Sequence, residues 1–253
     1  MVTGILQARM GSSRLAGKVL LNVLDNKPML ALQIERLLRS KCIDKLVIAT
    51  TLNSNDDPIE QLVLNLGLDC YRGSEEDVLD RYYQAAILFQ ADYVVRLTGD
   101  DPLSDPVLID EMINKIKDSD YDAVTNTIQP TYPEGLDVSV VKFSALEESW
   151  KNAKLSSQRE HVTPYIFDNE DKFQVYHYKQ VKDYSSMRWT VDYNEDLNFI
   201  TAIYESLYSK NSNFTTQNIY DLLETSPELK EINSGFIRNE GFIKSLKNDE
   251  IVN

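Results

Sequence analysis

Two cysteines and two histidines are all that this chain of 253 residues carries. Cys42 and Cys70 cannot supply a disulfide framework, and with His161 and His177 they show no zinc-ligand spacing. Free thiols of this kind suit a reducing compartment. No apolar run approaches the ~20 residues that a membrane-spanning helix needs. The chain does not open on a basic segment followed by a long apolar one, so no signal peptide is expected and the expected location is cytoplasmic. Basic residues are also in deficit, 26 against 40 acidic, for a net charge of −14. Such a balance argues against a general nucleic-acid binder, which needs a basic face to neutralise phosphates. No serine or cysteine sits in a nucleophile motif such as G-x-S-x-G. The dinucleotide fingerprint G-x-G-x-x-G is absent as well.

What the chain does have is the composition of a globular protein, 42% hydrophobic and 26% charged, with length enough for a well-buried core. No Pro-, Gly- or Ser-rich linker divides it. A single domain over residues 1–253 is expected, with a peripheral segment after about residue 226. Short β-like runs alternate with helical ones through the first half. Strands are expected at Val2–Leu6, Lys45–Thr51, Tyr93–Leu97 and Tyr121–Thr125, and helices at Pro28–Arg39, Pro58–Leu66, Asp77–Gln90 and Pro106–Lys117. Gly67 is placed to stop the second helix. This alternation implies parallel βαβ units in an α/β fold, with a mostly parallel sheet and helices on both faces. In the second half, strands are expected at Leu136–Phe143 and Phe173–Tyr178. Helices are expected there at Ala145–Ala153, Gln158–Phe167, Glu195–Tyr208 and Thr216–Leu223.

Against the acidic background, Gln7–Lys18 concentrates Arg9, Arg14 and Lys18 with Gly11 and Gly17 directly after the first strand. In an open parallel sheet, ligands bind beyond the carboxyl ends of the strands. A glycine there lets the backbone approach an anion, arginine forks match phosphate oxygens, and lysine supplies a point charge. The run is not a P-loop, because five residues separate Gly11 from Gly17 and Val19, not Ser or Thr, follows Lys18. The pattern suits a nucleoside triphosphate; a solvated basic loop is the plain alternative.

The strand Tyr93–Leu97 runs into Asp100 and Asp101, on the same sheet edge as the basic turn. Carboxylates beside a phosphate site suit Mg²⁺, although an Asp-Pro turn at a strand end is common in its own right. Arg188–Asp192 repeats the layout and delivers Asp192; the residues alone leave open whether Asp192 meets Asp100 on one metal. Glu195 and Asp196 read as charges at a helix N-terminus rather than as ligands.

With these residues in hand, the chain resembles the cytidylyltransferases that activate acidic sugars, in particular the branch similar to spore-coat polysaccharide biosynthesis protein F, and is related to the CMP-sialate and CMP-Kdo synthetases. The resemblance spans roughly residues 3–200. It rests on six motifs in order: LQARMGSSRLAGKVL, YRGSEEDVLDRY, VRLTGDDPLSDP, YPEGLDVSVV, REHVTPYIF and RWTVDYNEDL. It implies a Rossmann-like nucleotidyltransferase fold of the glycosyltransferase A type, acting on CTP and a small acidic sugar with Mg²⁺ as cofactor. Arg9, Gly11, Arg14 and Lys18 would hold the triphosphate, with Lys18, Arg14 and Asp100 catalytic. Arg72, Gly73, Thr98 and the backbone near Leu6 and Ala8 would hold the rest of the nucleotide. Asp100 and Asp192 would share the metal, and Glu134, Asp137, Arg159 and His161 would face the acceptor, whose carboxylate would need a cation such as Arg159. A homodimer is also implied, since members are often dimers. Two departures are mild: Ala16 stands where the family usually has Pro, and Tyr193-Asn194 where it often has Thr-Pro. Two other classes stay open on the residues, a glycosyltransferase using a nucleotide sugar and a non-catalytic nucleotide-binding protein.

Overall fold

A computed structural model describes residues 1–252. Its first strand, β1 (Val2–Gln7), is followed by the basic turn and by a hairpin of β2 (Asn22–Leu24) and β3 (Lys27–Pro28). Asp25 and Asn26 take positive φ at the hairpin tip, 43° and 63°, as a type I′ turn requires. Helix α1 (Met29–Leu37), strand β4 (Lys45–Thr51), helix α2 (Asp57–Asn65) and strand β5 (Asp69–Gly73) complete the first units. Helix α3 (Val78–Leu88), strand β6 (Tyr93–Thr98), helix α4 (Pro106–Lys117) and strand β7 (Ala123–Thr125) follow. Next come β8 (Ser139–Lys142), α5 (Phe143–Asn152), α6 (Ser156–His161), α7 (Pro164–Phe167) and β9 (Val175–His177). The chain ends with α8 (Asn194–Leu207), α9 (Thr216–Thr225) and α10 (Glu240–Lys247).

The seven sheet strands lie in the order β5-β4-β1-β6-β8-β7-β9. All neighbours pair in parallel except β8, which runs antiparallel to both β6 and β7. Because β8 runs the other way, the residues just before it, including Asp137, lie at the edge where β1 and β6 end. Successive side chains of a strand face opposite ways, so each strand feeds two cores. Leu6, Ile48, Val95, Leu97 and Val140 pack beneath a layer that includes α1, α4, α8 and α9. Ile5, Ala49, Val94 and Val141 pack beneath α3 and α5 on the other face. Among the described residues no helix is long and apolar enough to cross a membrane.

Three local features depart from the periodicity. The helix expected over Gln158–Phe167 is two, α6 and α7, broken where Val162 takes φ 74°; Pro164 has no N–H to continue the ladder of α6 and instead opens α7 at its first position. Strand β5 was not expected: DCYRG lacks an apolar alternation and is held as an edge strand by its backbone ladder to β4. Helix α10, in the segment expected to be peripheral, was not expected either.

Gly135 carries one backbone requirement. Its φ is 104°, and a Cβ there would lie 2.4 Å from the Thr190 nitrogen and 2.5 Å from the Trp189 carbonyl carbon. The close approach serves the backbone bond from Trp189 N–H to the Glu134 carbonyl, 2.6 Å. Gly135→Ala combines a strained φ with a clash against main chain, and is expected to cost about 3 kcal/mol in urea unfolding.

Candidate active site

The turn after β1 is held by its own backbone. Ser12 and Gly17 both donate to the Met10 carbonyl (2.9 and 3.0 Å), and Met10 N–H donates to Asp56 at 2.7 Å. Gly17 takes φ 66°, which turns the chain back and starts a short helical turn at Lys18. Beside it, the Gly99 amide donates to the Gln7 carbonyl at 2.7 Å. A Cβ on Gly99 would sit 3.0 Å from that same oxygen, so glycine lets the loop carrying Asp100 lie against the basic turn. The third segment is pinned to the second: Val191 N–H and the Thr190 hydroxyl both donate to the Asp100 carbonyl, at 2.8 and 3.2 Å.

These three segments bring their charges to one point. Lys18 Nζ donates to Asp192 Oδ1 at 2.8 Å, to Asp100 Oδ2 at 3.1 Å and to the Val191 carbonyl at 2.7 Å. Arg14 Nη2 reaches the same Asp192 oxygen at 2.7 Å. Lys18 is only 7% exposed. Burial disfavours its charge, yet Asp100 and Asp192 outweigh burial and hold its pKa above the ordinary lysine value. Burial likewise pushes Asp100 up, and the Lys18 ammonium overrides it and holds the carboxylate below its usual range. Asp101 differs: burial, then its neighbours Asp100 and Asp137, push its pKa well up. It accepts from the Thr98 hydroxyl at 2.7 Å instead.

Asp192 is fixed from behind by a buried network centred on Arg188. The guanidinium donates to Glu134 (2.8 Å), Asp192 (3.0 Å) and Asp196 (2.8 and 3.1 Å). Asp196 also accepts from the amides of Asp192 and Tyr193 and from Asn233. It lies in the first turn of α8 as expected, and being wholly buried it also anchors the Asp192 loop from inside.

In front of this cluster opens a cleft of about 900 Å³. Its walls come from the basic turn, the ends of β1 and β6, α6, and α10 with the residues around it. The segment after Ser226 thus supplies part of the cleft wall. Arg238 pairs with Asp137 at 2.7 Å, Asn239 N–H donates to Glu134, and Glu240 reaches Arg14 (3.2 Å) and the Tyr193 hydroxyl (2.7 Å). The pattern missed this because α10 buries no residue fully; polar contacts dock it.

The chain's residues 3–226 match the cytidylyltransferase family model. The chain belongs to the cytidylyltransferase family. It is 34% identical over 233 residues to the spore coat polysaccharide biosynthesis protein SpsF of Bacillus subtilis, covering 88% of this chain and 94% of that protein. It is 35% identical over 119 residues to the 3-deoxy-manno-octulosonate cytidylyltransferase of Pelobacter propionicus, covering 46% and 45%. Among solved structures, a cytidylyltransferase from Leptospira borgpetersenii superposes with a TM-score of 0.87 at 32% identity, covering 93% of this chain and 98% of that one. The chain is thus a nucleotidyltransferase with the Rossmann-like fold of its family.

In this cytidylyltransferase the cleft is lined by Ala8, Arg9, Gly11, Arg14, Lys18 and Thr98, and by Asp100, His161 and Asp192. Other residues singled out in the sequence do not line it. Leu6 is fully buried, its main chain paired between β4 and β6. Arg72 is engaged by Asp57 and Glu60 (2.7 and 2.9 Å) and by the carbonyls of Thr51 and Asn53, and Gly73 packs against Arg81. Arg159 is held by Asp77 at 3.0 Å and by the Trp150 carbonyl at 2.7 Å. Glu134 and Asp137 are committed to Arg188 and Arg238, with Asp137 close enough to Asp100 and Arg96 to feel both charges. Sequence reasoning passed over Arg188 and Arg96, which also lines the cleft. A charge inside the apolar run YVVRLT was the available signal for Arg96.

Proposed function

We propose that this cytidylyltransferase transfers CMP from CTP to a hydroxyl of a sugar acid, of the nonulosonic or 3-deoxy-octulosonic type, for surface polysaccharide or glycan synthesis. The observation that carries the reading is the convergence of Lys18 with Asp100 and Asp192 behind a turn bearing Arg9 and Arg14. The names borne by the relatives support the acidic-sugar class.

The acceptor oxygen forms a bond to the α-phosphorus of CTP, and the bond from that phosphorus to the bridging oxygen breaks. Pyrophosphate leaves with the electron pair, and the hydroxyl proton passes to solvent. Such chemistry needs positioning and charge stabilisation more than a protein nucleophile. Arg9 and Arg14 hold phosphate oxygens, Arg14 exchanging its contacts to Asp192 and Glu240 for the ligand. Lys18 stabilises charge developing on the departing pyrophosphate.

Two carboxylate oxygens meet one ammonium at 2.8 and 3.1 Å, so hard donors converge on one cation-sized point. Asp100 and Asp192 would fit Mg²⁺ once Lys18, which occupies that point here, turns to the phosphates; one or two carboxylates are what such an ion takes from a protein beside a phosphate site. When bound there, the ion supplies charge neutralisation at the α-phosphate and greater acidity of the hydroxyl.

The test is pyrophosphate release from CTP with Mg²⁺ and a panel of sugar acids. Asp100→Ala is expected to lower the rate on the order of 10²–10³-fold. A near wild-type rate in that variant, or release that proceeds as well with UTP as with CTP, overturns the reading.

A further inference from the structure

On one face of the sheet β6 presents Val94, Arg96 and Thr98 in alternation. Val94 lies in the core beneath α3 and α5. Arg96 and Thr98 line the cleft where that cover ends. Register puts Arg96 between Ile5 of β1 and Ser139 of β8, in the floor of the cleft rather than on its rim. Its Nε is shielded from solvent and has no hydrogen-bond partner; the counter-charge that feels it is the Asp137 carboxylate, which Arg238 already engages at 2.7 Å. The cations of the phosphate turn are matched: Lys18 with Asp100 and Asp192, Arg14 with Asp192 and Glu240, Arg9 with Glu75. Arg159 is matched as well, by Asp77.

A charge set into a sheet floor without a partner costs stability, and such a cost marks a group kept for a ligand. The flat guanidinium fork suits a carboxylate or a phosphate. The wall from α6 and α10 adds Ser156, His161, Lys244 and Lys247. Burial first, and the charge of Arg96 after the opposing pull of Glu160, bring the His161 pKa down to about 4, so its ring is neutral near pH 7. Hydroxyl, neutral imidazole and ammonium groups in the same cleft as this arginine suit a polyhydroxylated anion, and the two carboxylates of that wall, Glu160 and Glu240, are engaged by Ser245 and by Arg14 and Tyr193; the triphosphate already has Arg9, Arg14 and Lys18.

We propose that Arg96 binds the carboxylate of the acceptor sugar acid, the task expected of Arg159. The proposal rests on the CMP-transfer reading above. Arg96→Met and Arg96→Lys are compared with the wild type by calorimetry with CTP and Mg²⁺ and by thermal unfolding. Pyrophosphate release is followed with 3-deoxy-octulosonic and nonulosonic acids and with neutral sugars lacking the carboxylate. The wild type is expected to turn over an acid and no neutral sugar. Arg96→Met is expected to melt at or above the wild-type temperature, since an uncompensated charge is removed. It should bind CTP within about threefold of wild type and raise the KM for the acid about 30-fold, with kcat changed less; Arg96→Lys recovers part of that loss.

CTP binding weakened by about tenfold, with the acid KM unchanged, assigns the anion to the triphosphate and overturns the proposal. A lowered melting temperature with unchanged kinetics makes Arg96 structural and also overturns it. So does a wild type that binds CTP yet turns over neutral sugars, or no acid at all. A wild type that fails to bind CTP overturns the CMP-transfer reading itself.

Discussion

Lys18→Ala slows pyrophosphate release on the order of 10²–10³-fold, the loss expected on removing one preorganised stabiliser of a developing charge. Lys18 is the only cation paired with Asp100 among the described residues, whereas Asp192 keeps Arg14 and Arg188. The ammonium does its work as negative charge moves toward the leaving pyrophosphate, so kcat falls more than the KM for CTP rises. Lys18→Arg does not restore the rate. The site is nearly closed, at 7% exposure, and a planar fork cannot make the three contacts that a point donor makes to Asp100, Asp192 and the Val191 carbonyl. Without the ammonium, Asp100 also loses the charge that holds its pKa down against burial, so in the alanine variant that carboxyl takes up a proton at higher pH. Steady-state rates across pH with CTP and an accepted sugar acid measure both effects. A rate within about threefold of wild type would remove Lys18 from the chemistry.

Arg188→Ala destabilises the fold by about 3–5 kcal/mol, because it strips one buried partner from several carboxylates. Glu134 and Asp192 are each 7% exposed and Asp196 is fully buried. Glu134 keeps an amide bond from Asn239 and Asp196 keeps Asn233 and two amides, so their hydrogen bonding survives while their charge does not find a substitute. Burial already pushes the Glu134 pKa up, with the Asn239 amide and Arg188 opposing; without Arg188 it rises further. Urea unfolding gives the loss directly. Activity falls at temperatures where the variant is still folded, because the same guanidinium orients Asp192 toward Lys18.

Much of the architecture was legible because its elements carry their own signals. Strand β4 is a continuous β-branched run covered on both faces, and α4 opens on a proline and has an apolar stripe; both lie where periodicity puts them. The basic turn and the acids after β6 were legible for the same reason: each is a short segment directly beyond the end of a recognisable strand. Strand β5 was invisible, since its order comes from the ladder to β4 and not from its side chains. The break between α6 and α7 comes at Pro164, a single-residue signal inside an otherwise helical pattern.

By itself, then, the sequence determined a mostly parallel α/β sheet and the two loops that carry Lys18 and Asp100 at one sheet edge, because periodicity and turn chemistry act over a few residues. It also carried the family through six ordered motifs. Only the tertiary structure decided which charges neutralise one another. Arg159 is taken by Asp77 and Arg238 by Asp137, Arg188 gathers residues from 134 to 196, and Arg96 in the cleft floor keeps an unpartnered Nε. Those pairings join positions up to about a hundred residues apart, and Coulomb attraction acts on distance in space, which no local pattern encodes.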